Sequence, residues 1–173
     1  MIEFIVDREI YEKVILERVF QANSFLWLAT SDLKDLHIQK GKRVVPFLEL
    51  ISELCKKGVS VRLIHAKEPG PAFRTDFDRY PALIDGLERL LCPRVHFKSI
   101  VVDGEYAYCG SANLTGAGVG AKSSKKRNFE NGIVTDERKL ISSVMDQFDK
   151  VWMGYFCEDC GRTAFCADRK IMT

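Results

Sequence analysis

Residues 94–113 read RVHFKSIVVDGEYAYCGSAN. Arg94 to Val102 predicts a strand, and Asp103-Gly104 is a dipeptide that two-residue hairpin turns favour, because such turns need positive φ. Tyr106 to Ser111 returns as the partner strand. Side chains two apart on a strand share a face, so His96 and Lys98 are expected to project together. An imidazole beside an ammonium is a poor core pair and a good anion site. The lysine supplies a point charge, and that charge favours the neutral imidazole. Gly110 is expected to let a ligand approach closely. The Ser111 hydroxyl and the Asn113 amide can both donate to phosphoryl oxygens.

The flanking sequence alternates helical and extended patterns. Residues 7–21 place Ile10, Val14, Ile15, Val19 and Phe20 at helical spacing behind Asp7, a candidate N-cap. Ser24–Thr30 is an apolar run that predicts a buried strand. Lys42–Lys57 predicts a helix stopped by Gly58, and Val59–His65 a strand. Tyr80–Leu91 carries a second helical pattern. After the hairpin, the Gly-, Ser- and Lys-rich stretch 113–128 predicts a loop, Phe129–Thr135 a strand, and Asp136–Tyr155 a helix capped by Asp136. The order α-β-α-β-α-β-β-β-α implies an α/β fold, with a mixed β-sheet flanked by helices on both faces. One domain is expected over 1–156, followed by a short Cys-containing C-terminal tail, 157–173.

The spacing His96-x-Lys98, four residues, Asp103, six residues, Gly110-Ser111-x-Asn113 resembles the signature of the phospholipase D superfamily, with every fixed position present. Asn128-Phe129-Glu130 is similar to a further Asn-x-Glu element of that family. The resemblance implies a phospholipase D-like fold and a phosphodiesterase. One histidine attacks phosphorus to form a phosphohistidine; a second protonates the leaving oxygen and then activates water. No metal ion or other cofactor takes part in that scheme. Carried over by position, His96 is nucleophile or general acid, while Lys98 and Asn113 hold phosphoryl oxygens. Ser111 supports the phosphate site or the histidine, and Asp103 orients its neighbours, mostly as a structural member. Glu130 resembles the carboxylate that fixes the histidine tautomer.

The chemistry wants two histidines and the chain has one motif; His37 and His65 lie outside it, and His65 is read as structural. Short members of the family pair two identical chains around one cleft, which implies a C₂ homodimer. The short nuclease branch implies a nucleic-acid substrate, DNA or RNA. Alternatives are a phosphodiesterase for a cardiolipin-type lipid and a nucleic-acid-binding module without turnover.

Composition sets limits on these readings. Net charge is +2 over 173 residues, which excludes a strongly basic coat but not a local basic patch. Lys122, Lys125, Lys126 and Arg127 form such a patch in the loop 116–127, which contains no acid, and are candidate substrate-binding residues for a polyanion. No apolar run is long enough for a membrane-spanning helix, and no secretory leader is read at the N-terminus, so a cytoplasmic setting with reduced cysteines is expected. Cys157-x-x-Cys160-Gly with Cys166 resembles half of a structural zinc site, with Cys92 the candidate fourth ligand and a carboxylate or a partner-chain residue the alternatives. Disulfides or unbound thiols are the alternative. Cys55 and Cys109 are read as small buried hydrophobes.

Overall fold

In the computed structural model, which describes residues 1–34 and 36–168, the hairpin of residues 98–110 lies inside a seven-stranded sheet. The strands are β1 (Ile2–Val6), β2 (Phe25–Thr30), β5 (Ser60–His65), β6 (Leu87–Leu91), β7 (Lys98–Val102), β8 (Tyr106–Gly110) and β9 (Asn131–Thr135). Their order across the sheet is β1-β9-β8-β7-β2-β5-β6. The pairs β2–β5 and β5–β6 are parallel and the rest antiparallel, so the sheet is mixed as expected. A separate hairpin joins β3 (His37–Lys40) to β4 (Arg43–Pro46). The helices are α1 (Phe47–Lys56), α2 (Pro71–Asp78), α3 (Ala82–Gly86) and α4 (Arg138–Trp152).

Helical segments cover both faces. On one face α1 and a π-helical segment, Ile10–Leu16, close a core containing Ile5, Leu26, Leu63, Ile100, Tyr108 and Val134. On the other, α4 lays Ile141, Phe148 and Trp152 over Ala29, Ile64, Val101 and Ala107. Trp27 stacks on Phe148 at 4.9 Å and Phe148 on Trp152 at 5.9 Å, with the Arg62 guanidinium over both indoles. Aromatic contacts of this kind add about 1 kcal/mol each beyond area burial.

Several elements differ from the sequence expectation. Residues 2–6 form a strand because they pair with β9; their alternation is too short to stand out alone. The helix expected over 7–21 is broken into the π-helical segment and a 3₁₀ turn, Val19–Gln21. Asp7 does not cap it, but takes a left-handed φ of 47°. The helix expected from Lys42 starts at Phe47, since residues 43–46 pair with β3. Of the pattern over 80–91 only Ala82–Gly86 is helical, and the leucine-rich remainder is the edge strand β6. Strand propensity is set largely by neighbours, and here parallel pairing with β5 overrides the helical preference of leucine. Helix α2 lies where no helix was expected. Glu137, not Asp136, takes the cap position of α4, with no side-chain cap bond. Cys109 is exposed rather than buried.

Candidate functional site

The predicted site residues fall at one end of the central strands, with one exception. His96 lies two residues before β7, not on it, and its side chain is exposed. Lys98 is the first residue of β7 and is 8% exposed. Its Nζ donates to the His96 carbonyl at 2.7 Å and faces His96 Nδ1 at 3.3 Å. Burial pulls the Lys98 pKa below the ordinary lysine value, and the Glu130 charge partly opposes that shift.

Gly110 pairs with Lys98 across the hairpin and with Gly132 on the other side. A Cβ on Gly110 would stand 2.3 Å from Tyr108 Oη and 2.4 Å from the Asn131 carbonyl. The glycine is therefore required by protein packing. Burial pushes the Tyr108 phenol up to about 12.

Ser111 Oγ donates to the Glu130 carboxylate and accepts from Asn131 N at 3.1 Å. Asn128 Nδ2 donates to Glu130 Oε1 at 3.0 Å. The Glu130 carboxylate thus engages Ser111 and Asn128, and among the described residues Lys98, not Glu130, faces the His96 ring nitrogen. Asn113 has its carbonyl oxygen fully engaged. Oδ1 accepts from Ser31 Oγ at 2.8 Å, Ser31 N at 3.2 Å and Asp32 N at 3.1 Å, and lies 3.2 Å from Thr30 Oγ1. What remains to donate is its amide nitrogen, the group a phosphoryl oxygen needs.

Asp103 is the exception. It follows the last residue of β7, at the opposite end from Lys98, roughly 15 Å away at the rise of an extended strand. Its carboxylate accepts from the backbone N–H groups of Asn23 (3.0 Å), Ser24 (2.8 Å) and Phe25 (2.9 Å). The motif aspartate holds the start of β2 to the hairpin turn and touches none of the site groups.

Two supports were not visible in the sequence. Asp7 and Glu130 exchange bonds: Asp7 N donates to the Glu130 carbonyl and Glu130 N to Asp7 Oδ1, both at 2.8 Å. The Thr30–Asp32 segment orients Asn113. Both partners come from more than eighty residues away in the chain, and only an unusual backbone need, an Asp at positive φ, could have flagged Asp7.

The basic stretch is a loop as expected, but folded on itself. Lys122 N donates to the Gly116 carbonyl, Arg127 N to Ser123, and Asn128 N to Ala117, while Val119 is buried. Lys122, Lys125 and Lys126 are exposed and Arg127 is half-buried, all between Asn113 and Glu130. His65 is buried, with Nδ1 2.8 Å from the Lys67 carbonyl, and burial lowers its pKa. Lys67 stands two residues after it, yet no further motif position follows, and the ring serves packing. Cys157, Cys160 and Cys166 are not in this site; they line a cavity together with Cys92. Residues 169–173 of the tail lie outside the described residues.

The family model described as cardiolipin synthase, PLD-like domain, matches residues 15–152. A mitochondrial cardiolipin hydrolase of Chlamydomonas reinhardtii is 33% identical over 105 residues, 60% of this chain and 44% of that protein, so the chain spans less than half the length of this curated relative. Among solved structures, the phospholipase D family member Nuc from Salmonella typhimurium superposes with a TM-score of 0.63 at 18% identity, covering 88% of this chain and 93% of that one. NucT from Helicobacter pylori gives 0.61 at 15% identity, covering 87% and 95%. Identities this low show a shared fold.

Proposed function

The chain belongs to the phospholipase D-like family, and on that premise we propose that it is a phosphodiesterase that cleaves DNA or RNA through a phosphohistidine. The observation that supports this reading is the exposed His96 beside the buried Lys98, next to the paired Ser111 and Glu130. Lys98 Nζ stands 3.3 Å from Nδ1 of the His96 ring, so the ammonium and the imidazole act on the same group. When Lys98 turns to a phosphoryl oxygen, Nδ1 is released to hold the proton, and the Nε2 lone pair becomes the nucleophile. Attack at phosphorus expels the leaving oxygen, which takes a proton from the second histidine as its imidazolium; the neutral imidazole left behind then takes a proton from the water that cleaves the P–N bond. Lys98 and the Asn113 amide neutralise the developing charge. No metal is needed in this scheme.

The second imidazole is assigned to a second copy of the chain. On β1, Ile2, Phe4 and Val6 point to one face, and Phe4 is 65% exposed. Phe4 pairs with Ile133 and Ile133 with Cys109, so an exposed apolar row crosses β1, β9 and β8 toward the strand end that carries Ser111. Such a patch marks an interface, and a C₂ dimer covers it on both copies while joining two incomplete sites. Phe4→Glu is expected to convert the dimer to monomer in light scattering and to abolish cleavage. A monomeric wild type with full activity would overturn this assignment.

Nucleic acid is favoured by the exposed lysines at 122, 125 and 126 beside the site, and by Phe129, 95% exposed next to Glu130, which offers a ring to an unstacked base. Neutral replacements of Lys122, Lys125, Lys126 and Arg127 together are expected to flatten the dependence of log Kd on log salt by about 3. An unchanged slope would remove the loop from the interface. The proposed setting is cytoplasmic, where the cysteines stay reduced; no helix among the described residues is long and apolar enough to cross a membrane. The name of the Chlamydomonas relative supports a second reading, a cardiolipin-type lipid substrate. A cleavage assay in excess EDTA against single-stranded DNA, duplex DNA, RNA and cardiolipin liposomes decides between them. Turnover of a nucleic acid is the expected result, and turnover of lipid alone would replace it.

A further inference from the structure

Outside the site, four of the six cysteines converge. Cys92, Cys157, Cys160 and Cys166 line one cavity of about 240 Å³, walled by Val95, Phe97, Val151 and Phe156. They come from two segments far apart in sequence, and each is partly exposed. The chain is anchored around them. Cys92 N donates to the His65 carbonyl at 2.9 Å and its own carbonyl accepts from Val95 N at 3.0 Å, which fixes the turn after β6. The tail then docks on the last residue of β6: Cys166 Sγ lies 3.5 Å from the Leu91 carbonyl, and Asp168 Oδ2 accepts from Leu91 N at 2.7 Å. Cys55 and Cys109 are not among the lining residues.

We propose that Cys92, Cys157, Cys160 and Cys166 bind one zinc ion, which fastens the C-terminal turn to the segment that delivers His96. Four sulfurs are a complete tetrahedral set, and Cys-x-x-Cys-Gly is the turn that structural zinc uses. Binding releases the thiol protons to solvent and needs no oxidant. No three His, Cys, Asp or Glu side chains among the described residues already stand in ligating geometry. The sulfurs therefore have to close onto the ion by side-chain rotation and a tightening of the 157–166 turn. Cys92 precedes His96 by four residues, so the ion would brace the approach to β7 without touching substrate.

The test is metal content of the untagged full chain, purified under reducing conditions. About one zinc per chain is expected in the wild type and in Cys55→Ser and Cys109→Ser, with a large loss in each of Cys92→Ser, Cys157→Ser, Cys160→Ser and Cys166→Ser. Replacing zinc by Co²⁺ should give the intense visible absorption of tetrahedral thiolate ligation. Two reactive thiols per chain are expected with metal bound and six after chelation. Less than about 0.2 zinc per chain with all six thiols reactive would overturn the site, as would two disulfides by mass with no metal. Full zinc content in Cys92→Ser would overturn the four-sulfur assignment. None of these readouts depends on phosphodiester cleavage, so the site and the proposed activity fail independently.

Discussion

His96→Asn is expected to lower the cleavage rate by at least about 10⁴-fold, while uncleaved nucleic acid binds with a Kd within about threefold of wild type. Asparagine keeps a polar side chain of similar reach and removes both the nucleophilic nitrogen and the titratable proton. His96 is exposed, so the fold loses little; surface substitutions usually shift stability by less than about 0.5 kcal/mol. Lys98 keeps its bond to the residue-96 carbonyl, because that acceptor is backbone. A rapid alkaline quench of a labelled substrate, which spares the acid-labile P–N bond, should trap label on wild-type chains and none on the variant. Co-expression adds a sharper arm. If both histidines serve one cleft, random pairing at equal subunit amounts leaves only about a quarter of dimers intact, and activity falls to about a quarter. Independent sites would retain about half. Variant activity within tenfold of wild type would remove His96 from the chemistry.

Asp103→Ala is expected to cost about 3 kcal/mol of stability, a fall in Tm of roughly 6–12 °C for a chain of this size. The carboxylate accepts from three successive backbone N–H groups, at Asn23, Ser24 and Phe25. Removing it leaves these donors at the start of β2 to find water. Asp103 also sits at φ 56°, a conformation asparagine tolerates and alanine does not. Asp103→Asn should therefore cost only about 1 kcal/mol. Below its melting temperature the asparagine variant should keep kcat within about threefold, since residue 103 lies at the far end of β7 from Lys98. A well-folded Asp103→Asn protein with kcat lowered a hundredfold would return this residue to the site. Thermal melts and single-turnover rates on the same samples separate the two effects.

The placement of Asp103 shows how a local pattern and a tertiary role diverge. Its distance in sequence from His96 and Ser111 marks the length of one strand and one turn, so the spacing encodes the hairpin. The His96–Lys98 pair at one end of β7 and the aspartate at the other are both consequences of that length.

Short-range order was legible from residue order alone. Strand alternation brought Lys98 and Ser111 to the same end of the hairpin, the Asp103-Gly104 turn was readable, and the apolar faces of α1 and α4 pointed inward as their periodicity required. The four cysteines could be counted, and their knuckle spacing read. What tertiary structure decided was every relation that depends on distant partners. β1 exists because β9 accepts it, and β6 is a strand because β5 offers a parallel edge, although leucine-rich helix is its local preference. Asp7 holds Glu130, Ser31 and Asp32 turn Asn113, and Gly110 is needed by Tyr108 and Asn131. The physical reason is the same in each case. Hydrogen bonds and close contacts between segments are selected by burial and register, which no window of sequence contains, whereas turn chemistry and side-chain periodicity are properties of the local backbone.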